Sequence, residues 1–199
     1  MTAPDSTIKI DLCFHLRGEH LPVDHGYALY SALSRALPLL HEDPQVGVRL
    51  IRGRYIGGGI LDISPHSELI LRLPAPSLPP YLKLAGKTLE IFGQTLLIGV
   101  PKAKGLIPSV ALAAHLVSTR NGHDQARFEA EIQKQLRNLG VNGQLIVGRR
   151  RTFEVHGKQV VGYSVMVSEL IAEESITLQE AGLGGRRKMG CGFFEPTGE

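Results

Sequence analysis

The chain has 199 residues, of which 43% are hydrophobic and 21% charged, a globular composition that excludes a disordered chain and leaves room for one ordinary domain or two small ones. The formal net charge is +3, and the excess lies in the second half: residues 1–100 carry nine basic and nine acidic side chains, residues 101–199 thirteen and ten. Tryptophan is absent and aromatics make up 6%, which argues against broad base stacking as the main source of any affinity for nucleic acid.

The first segment alternates. Ile8, Ile10, Leu12 and Phe14 share one face and Lys9, Asp11, Cys13 and His15 the other, which is the period of a half-buried strand. Asp24 then reads as a helix N-cap, with Tyr27, Tyr30, Leu33 and Leu37 following at helical spacing. Pro38 ends or kinks that helix, leaving His41 just beyond it. Val48 to Ile51 reads as a strand before the flexible Gly57-Gly58-Gly59 segment, and Leu69, Leu71 and Leu73 alternate again. Four prolines, at 74, 76, 79 and 80, precede a short turn or helix, and residues 88–99 form one more strand or a bent pair.

After Lys104 a comparable order begins again. Residues 106–118 are strand-like, and Asp124 to Leu139 is helical, with Phe128, Ile132, Leu136 and Leu139 on one stripe and Arg127, Lys134 and Arg137 opposite. A hairpin is expected to turn near His156-Gly157-Lys158, followed by a last helix over 169–180 and a last strand over 192–195. The fold class expected is therefore α+β. It consists of tandem ferredoxin-like βαββαβ units over residues 1–102 and 103–199, with a glycine-rich loop near the C-terminus.

Cys13 and Cys191 fit neither a CxxC metal site nor a secreted disulfide framework. The eight histidines form no HxH or HExxH pattern, so no metal site and no cofactor is expected. The N-terminus lacks a basic and apolar leader and no apolar run reaches a membrane span, so the expectation is a cytoplasmic protein with no membrane partner.

The most informative stretch is Gly182-Leu183-Gly184-Gly185-Arg186-Arg187-Lys188-Met189-Gly190-Cys191-Gly192-Phe193. Glycine lacks Cβ, so the backbone can approach a ligand and adopt positive φ, and successive N–H groups can form an anion nest. Three cations inside the loop add attraction for phosphate. A dinucleotide fingerprint would follow a strand and open a helix, which this loop does not. Arg149, Arg150 and Arg151 at the start of the hairpin are further candidates for phosphate contact. Strand alternation should prevent all three from entering one groove. Lys102 and Lys104 flank the expected junction between the halves.

The spacing of the loop, G-x-G, five residues, G-x-G and then aromatics, resembles the glycine-rich loop of the RAMP superfamily (repeat-associated mysterious proteins), specifically its CRISPR RNA-processing endoribonucleases. The resemblance extends to the His- and Tyr-bearing first helix region, Asp24 to Glu42, and loosely to Gly162-Tyr163-Ser164-Val165. It implies a metal-independent endoribonuclease that binds CRISPR repeat RNA, cuts the transcript into guide crRNAs with 2′,3′-cyclic phosphate and 5′-OH ends, and joins other subunits of an effector complex. The alternative is a non-catalytic RAMP subunit that holds crRNA in such a complex. The resemblance places a catalytic histidine at His41, with His25 as the alternative. Tyr30 cannot be a neutral-pH base at an ordinary phenol pKa, but its hydroxyl can orient the 2′-OH or the phosphate. Arg49 or Arg52 would stabilise the phosphorane. The RNA-binding residues implied are Gly182, Gly184, Gly185, Arg186, Arg187, Lys188, Gly190 and Gly192, with Arg149, Arg150 and Arg151.

Overall fold

The alternation of the first segment does make a strand, and its buried face organises the first half of the molecule. A computed structural model describes residues 8–198. The described residues divide into two compact units between Gly105 and Leu106.

In the first unit, β1 (Lys9–Arg17) is followed by β2 (His20–Pro22), α1 (Gly26–Ala36), α2 (Leu39–Glu42) and β3 (Gly47–Val48). Then come β4 (Arg54–Gly57), β5 (Ile60–Asp62), β6 (Glu68–Pro74), the short α3 (Leu78–Tyr81), β7 (Thr88–Ile91) and β8 (Gln94–Gly105). The main sheet has the order β3-β6-β1-β8-β7, and all its pairings are antiparallel. Leu12, Phe14 and Leu16 of β1 join Leu69, Leu71 and Leu73 of β6 beneath Leu29 and Leu33 of α1 in one core. On the other face of β1 and β6, the nearly fully buried Arg72 holds Asp11 through two hydrogen bonds of 2.7 and 2.8 Å. That bidentate pairing stabilises a charge that would otherwise be costly at this depth.

In the second unit, β9 (Leu112–Val117), α4 (Gln125–Asn138), β10 (Gln144–Val155), β11 (Lys158–Ser168), α5 (Ala172–Ala181) and β12 (Glu195–Pro196) follow in order. The sheet order is β10-β11-β9-β12, again antiparallel. Phe128, Ile132 and Leu136 bury one stripe of α4 against Val117, Tyr163 and Val165, as the helical spacing requires. Asp124 caps α4, accepting the Arg127 N–H at 3.1 Å.

Several expectations are corrected. Asp24 is not a cap, because α1 begins after His25, which sits in the N-cap position without a side-chain cap bond. The strand expected over 48–51 shrinks to Gly47–Val48, and that over 106–118 to Leu112–Val117. Residues 88–99 are a hairpin whose second strand runs on to Gly105; it turns at Phe92-Gly93, both at positive φ. The triple glycine closes another hairpin, β4–β5, which pairs with β2 in a small separate sheet that the sequence pattern does not announce. Among the described residues, no helix is long and apolar enough to cross a membrane.

Candidate active site

In the first unit the helix break at Pro38 builds the candidate site. Leu37 leaves α1 in extended conformation, and Pro38, with its fixed φ, starts α2 as a new single turn. The turn is anchored from below by Leu40, which is fully buried in the core, and from its end by Asp43. Asp43 accepts the Tyr81 hydroxyl at 2.6 Å and the Gln45 N–H at 2.8 Å. Burial, followed by the neighbouring carboxylate, holds the Tyr81 phenol well above its ordinary pKa, so it remains a donor to Asp43.

This anchoring presents His41 on the exposed side of α2, beside Tyr30 on α1. The Tyr30 hydroxyl and His41 Nδ1 are 2.5 Å apart, a short hydrogen bond whose donor depends on the histidine tautomer. The two rings are inclined by 28°, with centroids 6.1 Å apart. Tyr27, one turn earlier, has its ring centroid 6.4 Å from that of Tyr30. A histidine whose Nδ1 is held by a hydroxyl has its ring orientation set, which is what proton transfer through the other nitrogen requires.

His25 has a different environment. It is 1% exposed, with Nδ1 2.8 Å from the Pro22 carbonyl oxygen and Nε2 accepting the Ile51 N–H at 3.0 Å. Desolvation lowers its pKa and favours the neutral ring. Both ring nitrogens therefore tie the start of α1 to neighbouring chain. Arg49 is half-buried and donates to the Glu68 carbonyl oxygen at 3.4 Å, whereas Arg52 is exposed.

In the second unit the glycine-rich loop connects α5 to β12, and its backbone turns inward. Gly182 N–H donates to Leu178 O, Gly184 N–H to Gln135 Oε1 at 2.8 Å, Gly185 N–H to Ser118 O at 2.9 Å and Gly192 N–H to Leu116 O at 2.7 Å. Met189 and Cys191 N–H both donate to Arg186 O. The expected anion nest is corrected on this point, because these six donors are satisfied by protein. The glycines are needed for close approach to the loop's own strand and turn. A Cβ on Gly184, at φ +72°, would lie 2.4 Å from Ser118 O, and one on Gly192, at φ +66°, would lie 2.1 Å from Leu183 O. Arg187 donates to Ala181 O and so closes the C-terminal end of α5. Arg186, in the left-handed region at φ +56°, and Gly185 are exposed, Lys188 is half-buried and Gly190 is buried. Burial raises the Cys191 thiol to about 11, so it is not a nucleophile at neutral pH.

On β10 the register slips between Val147 and Arg150, so that Gly148 and Arg149 together oppose Ser164, whose Oγ accepts the Arg149 N–H at 2.9 Å. The bulge breaks strict alternation. Arg149 and Arg150 are both exposed although adjacent, and Arg151 is half-buried. Among the described residues, no group of three or more His, Cys, Asp or Glu is placed to hold a metal ion. Sequence reasoning missed Asp43 and Tyr81, since nothing in their local pattern links residues 38 positions apart.

A family model described as Cas6 Crispr matches residues 10–199. The chain belongs to the Cas6 family. A curated relative, the CRISPR-associated endonuclease Cas6 of Myxococcus xanthus (strain DK1622), is 41% identical over 198 residues, covering 96% of this chain and 83% of its own. Two solved structures share the fold at low identity. A CRISPR-associated protein Cas6 superposes with a TM-score of 0.69 at 12% identity, covering 96% of this chain and 100% of that one. A RAMP protein described as binding different RNA substrates gives 0.62 at 14%, covering 94% and 98%.

Proposed function

We propose that this Cas6-family protein is a metal-independent endoribonuclease that cuts CRISPR repeat transcripts into guide RNAs, leaving 2′,3′-cyclic phosphate and 5′-OH ends. The observation that carries the reading is the pairing of the exposed His41 with the half-buried Tyr30, through its 2.5 Å bond to Nδ1. In the reaction the 2′-oxygen attacks the adjacent phosphorus and the P–O5′ bond breaks. The 2′-OH loses a proton and the departing 5′-oxygen gains one. His41 acts at one of these two ends, as base or as acid, through Nε2, while Nδ1 stays on Tyr30. Tyr30 positions the ring and orients the 2′-OH or phosphate. His25 takes no chemical step, because both its nitrogens are engaged and its charged form is disfavoured.

The strand orders support reading each unit as ferredoxin-like. In both, the fourth, first, third and second strands of a βαββαβ sequence lie side by side, as β8-β1-β6-β3 and β12-β9-β11-β10. RNA affinity is assigned to Arg186, Lys188, Arg149, Arg150 and Arg151, and the glycine loop is the rigid mount for its cations. The protein is proposed to remain with the guide RNA alongside other subunits of an effector complex.

Incubation of the protein with repeat RNA from the neighbouring array in excess EDTA tests the reading. One defined cut with a cyclic-phosphate end is expected. A cut that disappears in EDTA and returns with a divalent ion overturns it.

A further inference from the structure

The second unit contains a cavity of about 620 Å³ that neither the Tyr30–His41 pair nor the strand cations account for. Three segments meet there: the β9–α4 loop, the tip of the β10–β11 hairpin and Arg186 of the glycine loop. Arg120, Lys158 and Arg186 bring positive charge, His123 and His156 bring imidazole rings, and no carboxylate lines the cavity. Two neighbouring acids have partners of their own, and a third, Glu154, stands opposite Gln159 on the hairpin. Asp124 pairs with Arg127 at 3.4 Å, and Glu131 accepts from Asn121 Nδ2 at 2.7 Å. An apolar wall is supplied by Val155 and Val160, while Val161, next on β11, turns its side chain into the core beneath α4.

The walls are preorganised. Gly122 packs so closely on β11 that a Cβ there would lie 2.3 Å from Val161 O. Tyr163 donates its hydroxyl to Gly122 O at 3.1 Å, and Asn121 N–H donates to Thr119 Oγ1 at 3.1 Å. The Gly185 N–H bond to Ser118 O fixes the backbone next to Arg186. Fixed backbone sets where the cations start from, so no loop ordering is added to the cost of immobilising their side chains on an anion.

We infer that this cavity binds one unpaired nucleotide of the RNA. Arg120, Lys158 and Arg186 hold its phosphate, and the base lies against the imidazoles and valines. A bare phosphate would use the cations but leave the apolar wall and most of the volume unfilled. A single-stranded nucleotide brings both a π-face and a charge. The inference rests on the proposed RNA function, whose substrate contacts it extends to a site built wholly within the second unit.

The test uses repeat RNA with a 2′-deoxy substitution at the cut nucleotide, so that binding is read without cleavage. Gln159→Glu places a carboxylate in the cavity lining, whereas Gln94→Glu on β8 makes the same charge change in the other unit. Gln159→Glu is expected to weaken binding by about tenfold or more, through repulsion of the phosphate and competition for its cations, and Gln94→Glu by less than about twofold. Arg120→Ala should weaken binding comparably to Gln159→Glu. His123→Ala should weaken binding of a single-stranded RNA about tenfold, because the base no longer has that ring to lie against, and leave a fully paired duplex unaffected. Equal losses in the two glutamate variants, or a His123→Ala protein that binds both RNAs like wild type, would overturn the assignment. The failures are distinguishable. A wild type that cuts repeat RNA while Gln159→Glu binds like Gln94→Glu removes the cavity and leaves the nuclease. A selective loss in Gln159→Glu with no cutting by wild type removes the nuclease and leaves the cavity.

Discussion

His41→Ala is expected to slow cleavage of repeat RNA by on the order of 10²–10⁴-fold while leaving its affinity nearly unchanged. His41 is given no phosphate or base-stacking contact, so it contributes little to an affinity carried by the cations, but it moves a proton in the transition state. Single-turnover rates at saturating protein separate these two effects from each other. Tyr30→Phe removes the hydroxyl that meets Nδ1 at 2.5 Å while preserving the ring, so its loss should be smaller and should fall on rate rather than affinity. A His41→Ala protein that cuts at the wild-type rate would remove the pair from the chemistry. The buried His25 would not inherit the role, because removing a satisfied imidazole from beneath α1 alters folding instead.

The second large effect is on stability. Gly184→Val should lower unfolding stability by about 3 kcal/mol or more, since a β-branched residue must hold positive φ and its Cβ meets Ser118 O at 2.4 Å. Urea denaturation of the two proteins reads the difference directly. Arg186→Ala, in the same loop but exposed, should leave the midpoint in place and weaken RNA binding. The salt dependence of that binding should become shallower, by about 0.7 in slope for each phosphate that is no longer neutralised on single-stranded RNA. If Gly184→Val melts like wild type, the loop is not the rigid mount described above.

These contrasts also mark what the sequence made legible. The alternation of residues 8–14 and the stripe of Phe128, Ile132 and Leu136 locate β1 and α4, because burial on one face imposes a period that survives in the residue order. The turn at His156-Gly157 is equally plain, since both residues take the positive φ that a tight hairpin needs. Pro38 correctly marks the break that sets His41 apart from α1. What the break does next, starting one more turn that folds His41 back onto Tyr30, depends on Leu40 finding the core and on Tyr81 reaching Asp43. Those are tertiary contacts with no local signature.

The glycine loop shows the same limit from the other side. Its spacing is visible in the sequence, but glycine serves close approach to a ligand and close approach to the chain itself equally well. Only the bonds to Ser118 O, Leu116 O and Gln135 Oε1 decide between them. Likewise His25 and His41 look alike as isolated histidines near one helix, and burial with two engaged nitrogens separates them. The bulge at Gly148-Arg149 was hidden for a related reason. An extra residue in a strand leaves the composition unchanged and shifts only the register.

In the proposed reaction the nucleophile is the RNA's own 2′-oxygen, activated or answered by His41. This is tested most directly by replacing one 2′-OH, at the nucleotide immediately 5′ of the cut, with hydrogen and following cleavage of that RNA by the wild-type protein. The deoxy RNA is expected to bind with the affinity of the unmodified repeat, because its backbone charge is unchanged, and to remain uncut at that position. Cleavage of the deoxy RNA at the same phosphate would contradict internal transesterification, and with it the role given to the Tyr30–His41 pair.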